Sequence, residues 1–212
     1  MSGILAFSVF IGFTLLIIVS AFALGRRQAE KARENLAALA RELGLRLEEK
    51  PPLLGVLPQV PTASGHVGGR AIRFHTYTTG SGKHRQTWQA LAIACDNSHG
   101  LILQLAAQNF LTALGVKLGM QDVKVGDPVF DERFVLKTSD PDFASAALLP
   151  EIRAGLLADW SPRAMGAHVK IEARELIYAE LGSFSDPMVT ARMKALLEPL
   201  LALAALPEVY RK

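Results

Sequence analysis

Apolar and charged residues are segregated along the chain, and the change comes near residue 25. Residues 3–24 (GILAFSVFIGFTLLIIVSAFAL) carry no charged side chain, and 17 of these 22 positions are apolar. A helix of that length is about 33 Å long at about 1.5 Å per residue, enough to cross the hydrocarbon core of a bilayer. The pattern therefore predicts a transmembrane anchor over residues 1–25.

A cleaved signal peptide is the alternative interpretation of this run. Ala21-Phe22-Ala23 resembles a cleavage site between small residues. However, no Lys or Arg precedes the run, and the run exceeds the about 7 to 15 apolar residues of a typical signal peptide. A packed core helix is disfavoured because the run has no polar face. An uncleaved anchor is the favoured interpretation.

A helical period follows the apolar run and predicts an amphipathic connecting helix over residues 26–44. Its apolar positions, spaced three and four apart, are Ala29, Ala32, Leu36, Leu39, Ala40 and Leu43. Gly44 is placed to end the helix. The apolar stripe could pack on the folded domain, pair with a second copy as a coiled coil, or lie on the membrane. Packing on the domain is favoured because a coiled coil needs a longer stretch of heptads.

Proline and glycine then interrupt the periodicity. The breakers in this stretch are Pro51, Pro52, Gly55, Pro58 and Pro61. They predict a Pro/Gly-rich linker over residues 45–65. The α+β domain is expected to occupy residues 66–212.

Strands are predicted where apolar and polar residues alternate. They cover residues 70–78, 85–95, 101–106 and 132–138, with a hairpin over 167–181. Turn residues between the first three strands predict an antiparallel meander. Residues 107–126 combine helical spacing with glycines and predict no clear element.

Two Asp-Pro pairs mark helix starts, because Asp is a good N-cap and Pro fits the first helical position. Asp140-Pro141 opens a helix that Pro150 divides, and Asp186-Pro187 opens a C-terminal helix. Groups of strands thus alternate with helices through short connections. This order predicts an α+β fold, with an N-terminal transmembrane helix and an antiparallel sheet domain with helices packed on one face.

The positions of the charged residues predict the side of the membrane on which the domain lies. The chain has 23 Lys and Arg against 20 Asp and Glu. The basic residues that directly follow the apolar run are Arg26, Arg27, Lys31 and Arg33. Positive residues flank the cytoplasmic side of a membrane span, so we expect a single-pass protein of the inner membrane with its domain in the cytoplasm. The lone Cys95 suits a reducing compartment.

The same basic flank suggests the lipid bilayer as a partner, through its anionic headgroups. No nucleic-acid-binding module is recognisable, and no nucleic-acid partner is expected. Gly80-Ser81-Gly82-Lys83 lacks the first glycine and the hydroxyl residue of a phosphate-binding loop, so a hairpin turn is favoured. Histidine and cysteine spacings predict neither a metal site nor a cofactor, and Cys95 shares a strand face with apolar residues.

The segment in which candidate functional residues lie closest together is Gly126-Asp127-Pro128-Val129-Phe130-Asp131. Asp127 and Asp131 could act as paired carboxylates of a hydrolase, provided that they converge in a sheltered pocket. A structural role is favoured, in which Asp127 bonds its own backbone and Asp131 accepts from nearby amides or from Arg133. Phe130 and Phe134 would then anchor the turn in the core.

This segment, GDPVFDERFV over residues 126–135, resembles a module of uncharacterised bacterial single-pass membrane-anchored proteins. The resemblance extends over about residues 66–205. It implies a bacterial anchored domain whose motif is structural, and it implies no catalytic residue.

Three functions follow, in order of preference. The first is a non-catalytic, membrane-tethered domain that binds a protein partner, as an accessory or assembly subunit of a membrane complex. The second is a lipid- or small-ligand-binding domain, with residues 195–206 lining a pocket. The third is a hydrolase that uses Asp127 and Asp131.

Overall fold

The computed structural model describes residues 2–53, 55–56, 58–108 and 121–210, apart from the side chains of residues 2–9, 11 and 121. The segment for which the sequence predicts no clear element, 107–126, therefore lies largely outside the described residues.

Among the described residues, nine strands form one antiparallel sheet at the centre of the protein. Its strands are β1 (Arg46–Glu48), β2 (Thr62–Val67), β3 (Arg70–Thr79), β4 (Gln86–Ala94), β5 (Leu103–Ala107), β6 (Gln121–Val123), β7 (Phe134–Thr138), β8 (His168–Glu172) and β9 (Glu175–Leu181). Their order across the sheet is β1-β2-β3-β4-β9-β8-β5-β7-β6. The antiparallel α+β fold class is confirmed.

The sequence predicts a meander of the strands over residues 70–78, 85–95 and 101–106, which correspond to β3, β4 and β5, and this prediction is wrong. β3 and β4 form a hairpin, but the β8–β9 hairpin lies between β4 and β5. β9 takes the place beside β4, since the two strands pair from Trp88 and Leu181 to Ala94 and Glu175. Alternation of apolar residues predicts a strand but not its neighbour, because pairing depends on contacts far apart in the sequence.

The predicted linker over 45–65 is also wrong, since β1 and β2 both begin within it. Ala63 is fully buried, and its register partner on β3 is the buried Phe74. The prolines occupy the loop between the two strands, where missing N–H donors cost no ladder hydrogen bond. The sheet therefore starts at Arg46 rather than at residue 66.

Six α-helices accompany the sheet in the part of the chain that the structure describes. They are α1 (Ser2–Leu43), α2 (Pro128–Arg133), α3 (Pro141–Ala147), α4 (Pro150–Asp159), α5 (Pro187–Ala195) and α6 (Leu197–Val209). The carboxylates of Asp127, Asp140 and Asp186 accept backbone amides at the starts of α2, α3 and α5, each directly before a proline. The Asp-Pro signals at 140 and 186 and the division at Pro150 thus appear where the sequence predicts them.

The core lies between these helices and one face of the sheet. Strand register aligns a buried row across seven strands, formed by Ala63, Phe74, Leu91, Tyr178, Val169, Leu105 and Leu136. Gly155 of α4 lets α6 approach closely, because a Cβ at this position would lie 3.0 Å from the Pro199 Cβ atom. Leu200 and Leu203 of α6 are fully buried in the same core.

Helix α1 is continuous from Ser2 to Leu43, so the predicted anchor and connecting helix are one element. Its second half packs against β1, β2 and α5 through Ala32, Leu36, Leu39 and Ala40. The helix ends at Gly44, whose φ of +67° suits a glycine after the last turn. Among the described residues, no helix has both the length and the apolar character needed to cross a bilayer.

Strand register defines the two ends of the sheet. We call the end where β1 stops and β2 begins, at Glu48 and Thr62, the entry end. Helix α1 starts its packing there, because Arg33 Nε lies 2.5 Å from Glu49 Oε1. The helix then runs towards the far end, which is marked by Arg70 and Glu208. The exposed N-terminal half of α1 therefore projects beyond the entry end.

A charged group is buried in this core. Glu180 on β9 has no solvent exposure, and its carboxylate accepts from Arg192 of α5 and, at 2.7 Å, from the Tyr178 hydroxyl. The hydrogen bond to Glu180 raises the pKa of Arg192, and burial raises the pKa of Tyr178. The three side chains join the sheet to α5, and at neutral pH Arg192 stays charged and the Tyr178 hydroxyl keeps its proton.

Candidate functional site

The basic residues after the apolar run lie on the surface of α1 near the entry end. Arg26, Arg27, Lys31 and Arg33 are all exposed. The Arg26 guanidinium lies 5.4 Å from the centre of the Phe22 ring. Arg33 pairs with Glu49, which ties the loop after β1 to the helix. The remaining cations face solvent on the part of α1 that leaves the domain.

The turn at Gly126 is built by its own carboxylates. Gly126 has a φ of +78°, a conformation that strongly favours glycine. Asp127 Oδ1 accepts from the amides of Val129 and Phe130, both at 3.2 Å, and thereby caps α2. Asp131 closes the turn, since its two oxygens accept from the amides of Val125 at 2.9 Å and of Gly126 at 3.0 Å.

Two further contacts fix this turn to the rest of the domain. Arg153 Nε lies 3.2 Å from Asp127 Oδ2, and the same guanidinium donates to the Leu148 carbonyl at 2.6 Å. Phe130 and Phe134 are buried, and their ring centres lie 4.8 Å apart. All four oxygens of Asp127 and Asp131 therefore have partners within the protein. A hydrolase that uses this pair as free acid and base does not fit the geometry.

Arg133 has a different role from the one the sequence predicts. It does not pair with Asp131 but donates to two backbone carbonyls at the end of α4, those of Leu157, at 2.8 Å, and Trp160. The last turn of a helix has free carbonyls, and a cation there is favourable. Arg133 thus joins α2 to α4, an interaction between distant segments that no local motif indicates.

Replacing Asp127 tests the structural role of this turn. We expect Asp127→Ala to lower the free energy of unfolding by about 0.5–2 kcal/mol, because two α2 amides lose their acceptor. Asp127→Asn keeps an oxygen at the cap and should cost less. Chemical denaturation, followed by tryptophan fluorescence, measures both variants. A cost for Asp127→Asn equal to that for Asp127→Ala would contradict capping as the main role.

An open cleft of about 370 Å³ lies beside the turn. Gln108, Arg133, Trp160, Met165 and Ala167 line part of it. The side-chain Nε2 of Gln108 donates to the backbone carbonyl of Asp131 at 3.1 Å, so the cleft borders the Gly126 turn directly. Met165 is 66% exposed, which leaves an apolar, adaptable side chain at the rim. The sequence gives no sign of this cleft, because its walls come from three distant segments.

The apolar stretch over residues 195–206 is part of the filled core. Leu196, Leu200, Leu203 and Ala204 are fully buried among other apolar side chains. This packing is that of an ordinary core helix. The predicted use of this stretch to line a ligand pocket does not fit.

Aromatic rings lie near the entry end on the face of the sheet opposite to the core. Tyr77 stacks on Trp88 with ring centres 6.3 Å apart, and His168 meets Trp88 edge-on at 5.2 Å. Burial lowers the pKa values of His75 and His168, so both are neutral at pH 7. Among the described residues no group of three or more His, Cys, Asp or Glu is arranged to hold a metal ion.

Cys95 is buried at the end of β4. Burial raises the pKa of its thiol to about 11, so the thiolate is scarce at neutral pH. We expect the folded protein to react with a disulfide reagent such as Ellman's reagent far more slowly than the same protein unfolded in denaturant. Equal rates in the two states would show that Cys95 is accessible.

The fold and these contacts define a class of protein, an α+β domain built on an antiparallel sheet. The second half of its first helix packs in the core, and the first half is an exposed apolar extension. Its fold is similar to that of the crystal structure of the mycobacterial trehalose monomycolate transport factor A, TtfA. The TM-score is 0.54 at 12% sequence identity, over 85% of this chain and 96% of that chain. No protein-family model matches this chain, and no curated protein matches it.

Proposed function

We propose that the chain is a single-pass protein of the inner membrane. Residues 3–24 form its anchor, and its α+β domain faces the cytoplasm as a non-catalytic accessory subunit that binds a protein partner. The lipid-transport context of the TtfA structure favours a membrane complex that handles lipids.

The observation that carries this proposal is the division of α1 into two halves. In the first half, large apolar side chains are more than half exposed on every side of the helix: Phe10, Phe13, Leu15, Leu16, Ile17, Ile18, Val19 and Leu24. Exposed apolar surface on this scale marks a contact with lipid or protein. The uncharged run of 22 residues has the length of a membrane span.

The second half of α1 makes the link to the domain rigid. The buried Ala32 lies eight positions after Leu24, a distance of about 12 Å along a helix. The domain therefore lies close to the bilayer, with no flexible linker between them. Arg26, Arg27 and Lys31 occupy this interval, which favours the cytoplasmic side.

The cleft beside the Gly126 turn is the favoured partner surface. The exposed Met165 lies at its rim, and Arg133 and Asp131 hold its walls in place. An open, preformed cleft with an adaptable apolar rim suits a protein side chain.

Photo-cross-linking in native membranes tests the partner proposal. A photoreactive residue at position 165 should link to one defined protein, identified by mass spectrometry. The same residue at Met188, which is 55% exposed on α5, is the matched control and should not link to that protein. Absence of any protein cross-link at 165, or the same cross-link at both positions, would contradict the proposed surface.

Fusions to the C-terminus test the orientation. Green fluorescent protein should be fluorescent there, and alkaline phosphatase, which is active only outside the cytoplasm, should be inactive. The opposite pair of results would place the domain on the outer side and contradict the proposed location.

A further inference from the structure

The loop between β1 and β2, residues 50–61, emerges at the entry end beside α1. β1 ends at Glu48 and β2 begins at Thr62, so both ends of the loop lie at this end of the sheet. Arg33 of α1 holds Glu49, at the base of the loop, at 2.5 Å. The loop and the projecting half of α1 therefore leave the domain on the same side.

The tip of this loop is apolar and exposed. The amide of Gly55 donates to the Pro52 carbonyl at 3.2 Å, and the amide of Val56 donates to the Leu53 carbonyl at 3.3 Å, which defines a turn. Leu53 is 56% exposed and Val56 is 57% exposed on this turn. The Gln59 side chain donates to the Pro51 carbonyl at 2.6 Å and closes the base. These hydrogen bonds hold the side chains of Leu53 and Val56 in solvent.

A second element at the entry end is basic. The hairpin between β3 and β4 ends in a short 3-10 turn, Gly82–His84, and the exposed residues Lys83 and Arg85 lie at its tip. Lys50, at the start of the loop between β1 and β2, adds a third cation at the entry end, whereas Arg70 and Arg73 pair with Glu208 and Glu175 towards the far end. The charge at this edge complements anionic lipid headgroups, and the apolar loop tip suits the interface just beneath them.

The distances are compatible with contact. Arg33 lies nine positions after Leu24 on α1, about 13 Å along the helix. Leu53 lies four positions after Glu49, a distance of up to about 14 Å when the chain is extended, which matches the separation along α1 between Arg33 and Leu24. The loop tip can therefore reach the bilayer surface into which α1 passes.

We propose that this edge is a second membrane contact, in which Leu53 and Val56 insert into the cytoplasmic headgroup interface and Lys83 and Arg85 bind anionic headgroups. The proposal rests on the anchor proposed above. Together with α1, this contact fixes the tilt of the domain and the direction in which its cleft points.

Environment-sensitive fluorophores on the full chain test this contact. Single labels are placed through Leu53→Cys or Val56→Cys in a Cys95→Ala background, and the protein is reconstituted in vesicles of phosphatidylcholine with phosphatidylglycerol. Val209→Cys is the matched control, because Val209 is also apolar and exposed, at 70%, but lies beside Glu208 at the far end. We expect blue-shifted emission and quenching by lipid-attached quenchers at positions 53 and 56, and neither effect at 209.

Flotation of the same vesicles separates the two proposals. If the protein floats with the lipid and the labels at 53 and 56 behave like the label at 209, the loop contact is wrong and the anchor stands. If the protein does not float, the anchor is wrong and the loop contact falls with it. In the expected case, Lys83→Glu combined with Arg85→Glu reduces the blue shift at position 53, and an unchanged shift would contradict the role of the hairpin.

Discussion

Glu180→Ala is expected to lower the free energy of unfolding by about 3–5 kcal/mol, the cost of breaking a buried ion pair from one side. The substitution leaves the Arg192 guanidinium and the Tyr178 hydroxyl in the core without their acceptor. The side chain of Arg192 is only 12% exposed, so water replaces the carboxylate poorly. Denaturant titration of the full chain in mild detergent, followed by the fluorescence of Trp88 and Trp160, measures this loss.

Glu175→Ala is the matched control on the same strand. Glu175 pairs with Arg73 at 3.4 Å, but both side chains are nearly half exposed, so its loss should cost at most about 1 kcal/mol. A triple variant, Glu180→Leu with Arg192→Met and Tyr178→Phe, removes every member of the buried group and should recover much of the loss. Equal effects of Glu175→Ala and Glu180→Ala would contradict the special role of the buried carboxylate.

Leu36→Ala is expected to cost about 2–5 kcal/mol, as for other fully buried leucines in well-packed cores. Leu36 has no solvent exposure and lies in the same cluster as Phe74 and Leu91 of the sheet. The helix that carries the apolar extension is thus also a core element. The same denaturant titration in detergent measures the effect.

Glu34→Ala, an exposed position two residues earlier on the same helix, is the control and should change the stability by less than about 0.5 kcal/mol. If Leu36→Ala has an equally small effect, α1 is not packed on the domain. The rigid link between the apolar extension and the sheet would then be wrong.

Local signals in the sequence predicted much of this fold. Asp140-Pro141 and Asp186-Pro187 predicted helix starts because capping and the fixed φ of proline are properties of adjacent residues. The stripe that contains Ala32 and Leu36 predicted a packed face because helical spacing is also local. The alternation on β3, β4 and β9 indicated strands for the same reason.

Features that depend on distant contacts were not predicted. β1 has three residues, too few for a visible alternation, and proline in its following loop suggested a linker instead. The place of the β8–β9 hairpin between β4 and β5 follows from strand pairing across the whole domain. At the Gly126 turn, the bonds within residues 125–131 were predictable. The contribution of Arg153 was not, because it comes from another helix.

Accessibility measurements along α1 test the central claim most directly, which is that one helix passes from the bilayer into the core of the domain. Nitroxide labels at single cysteines from Phe10 to Leu43, on the full chain in vesicles, report collisions with oxygen, which concentrates in lipid, and with a water-soluble nickel chelate. At every position from 10 to 24 we expect high accessibility to oxygen and low accessibility to the nickel chelate. Beyond residue 24 both accessibilities should vary with the helical period and be lowest at the buried Ala32 and Leu36. Nickel accessibility at Phe13 and Ile17 as high as at the exposed Glu34 would contradict the claim.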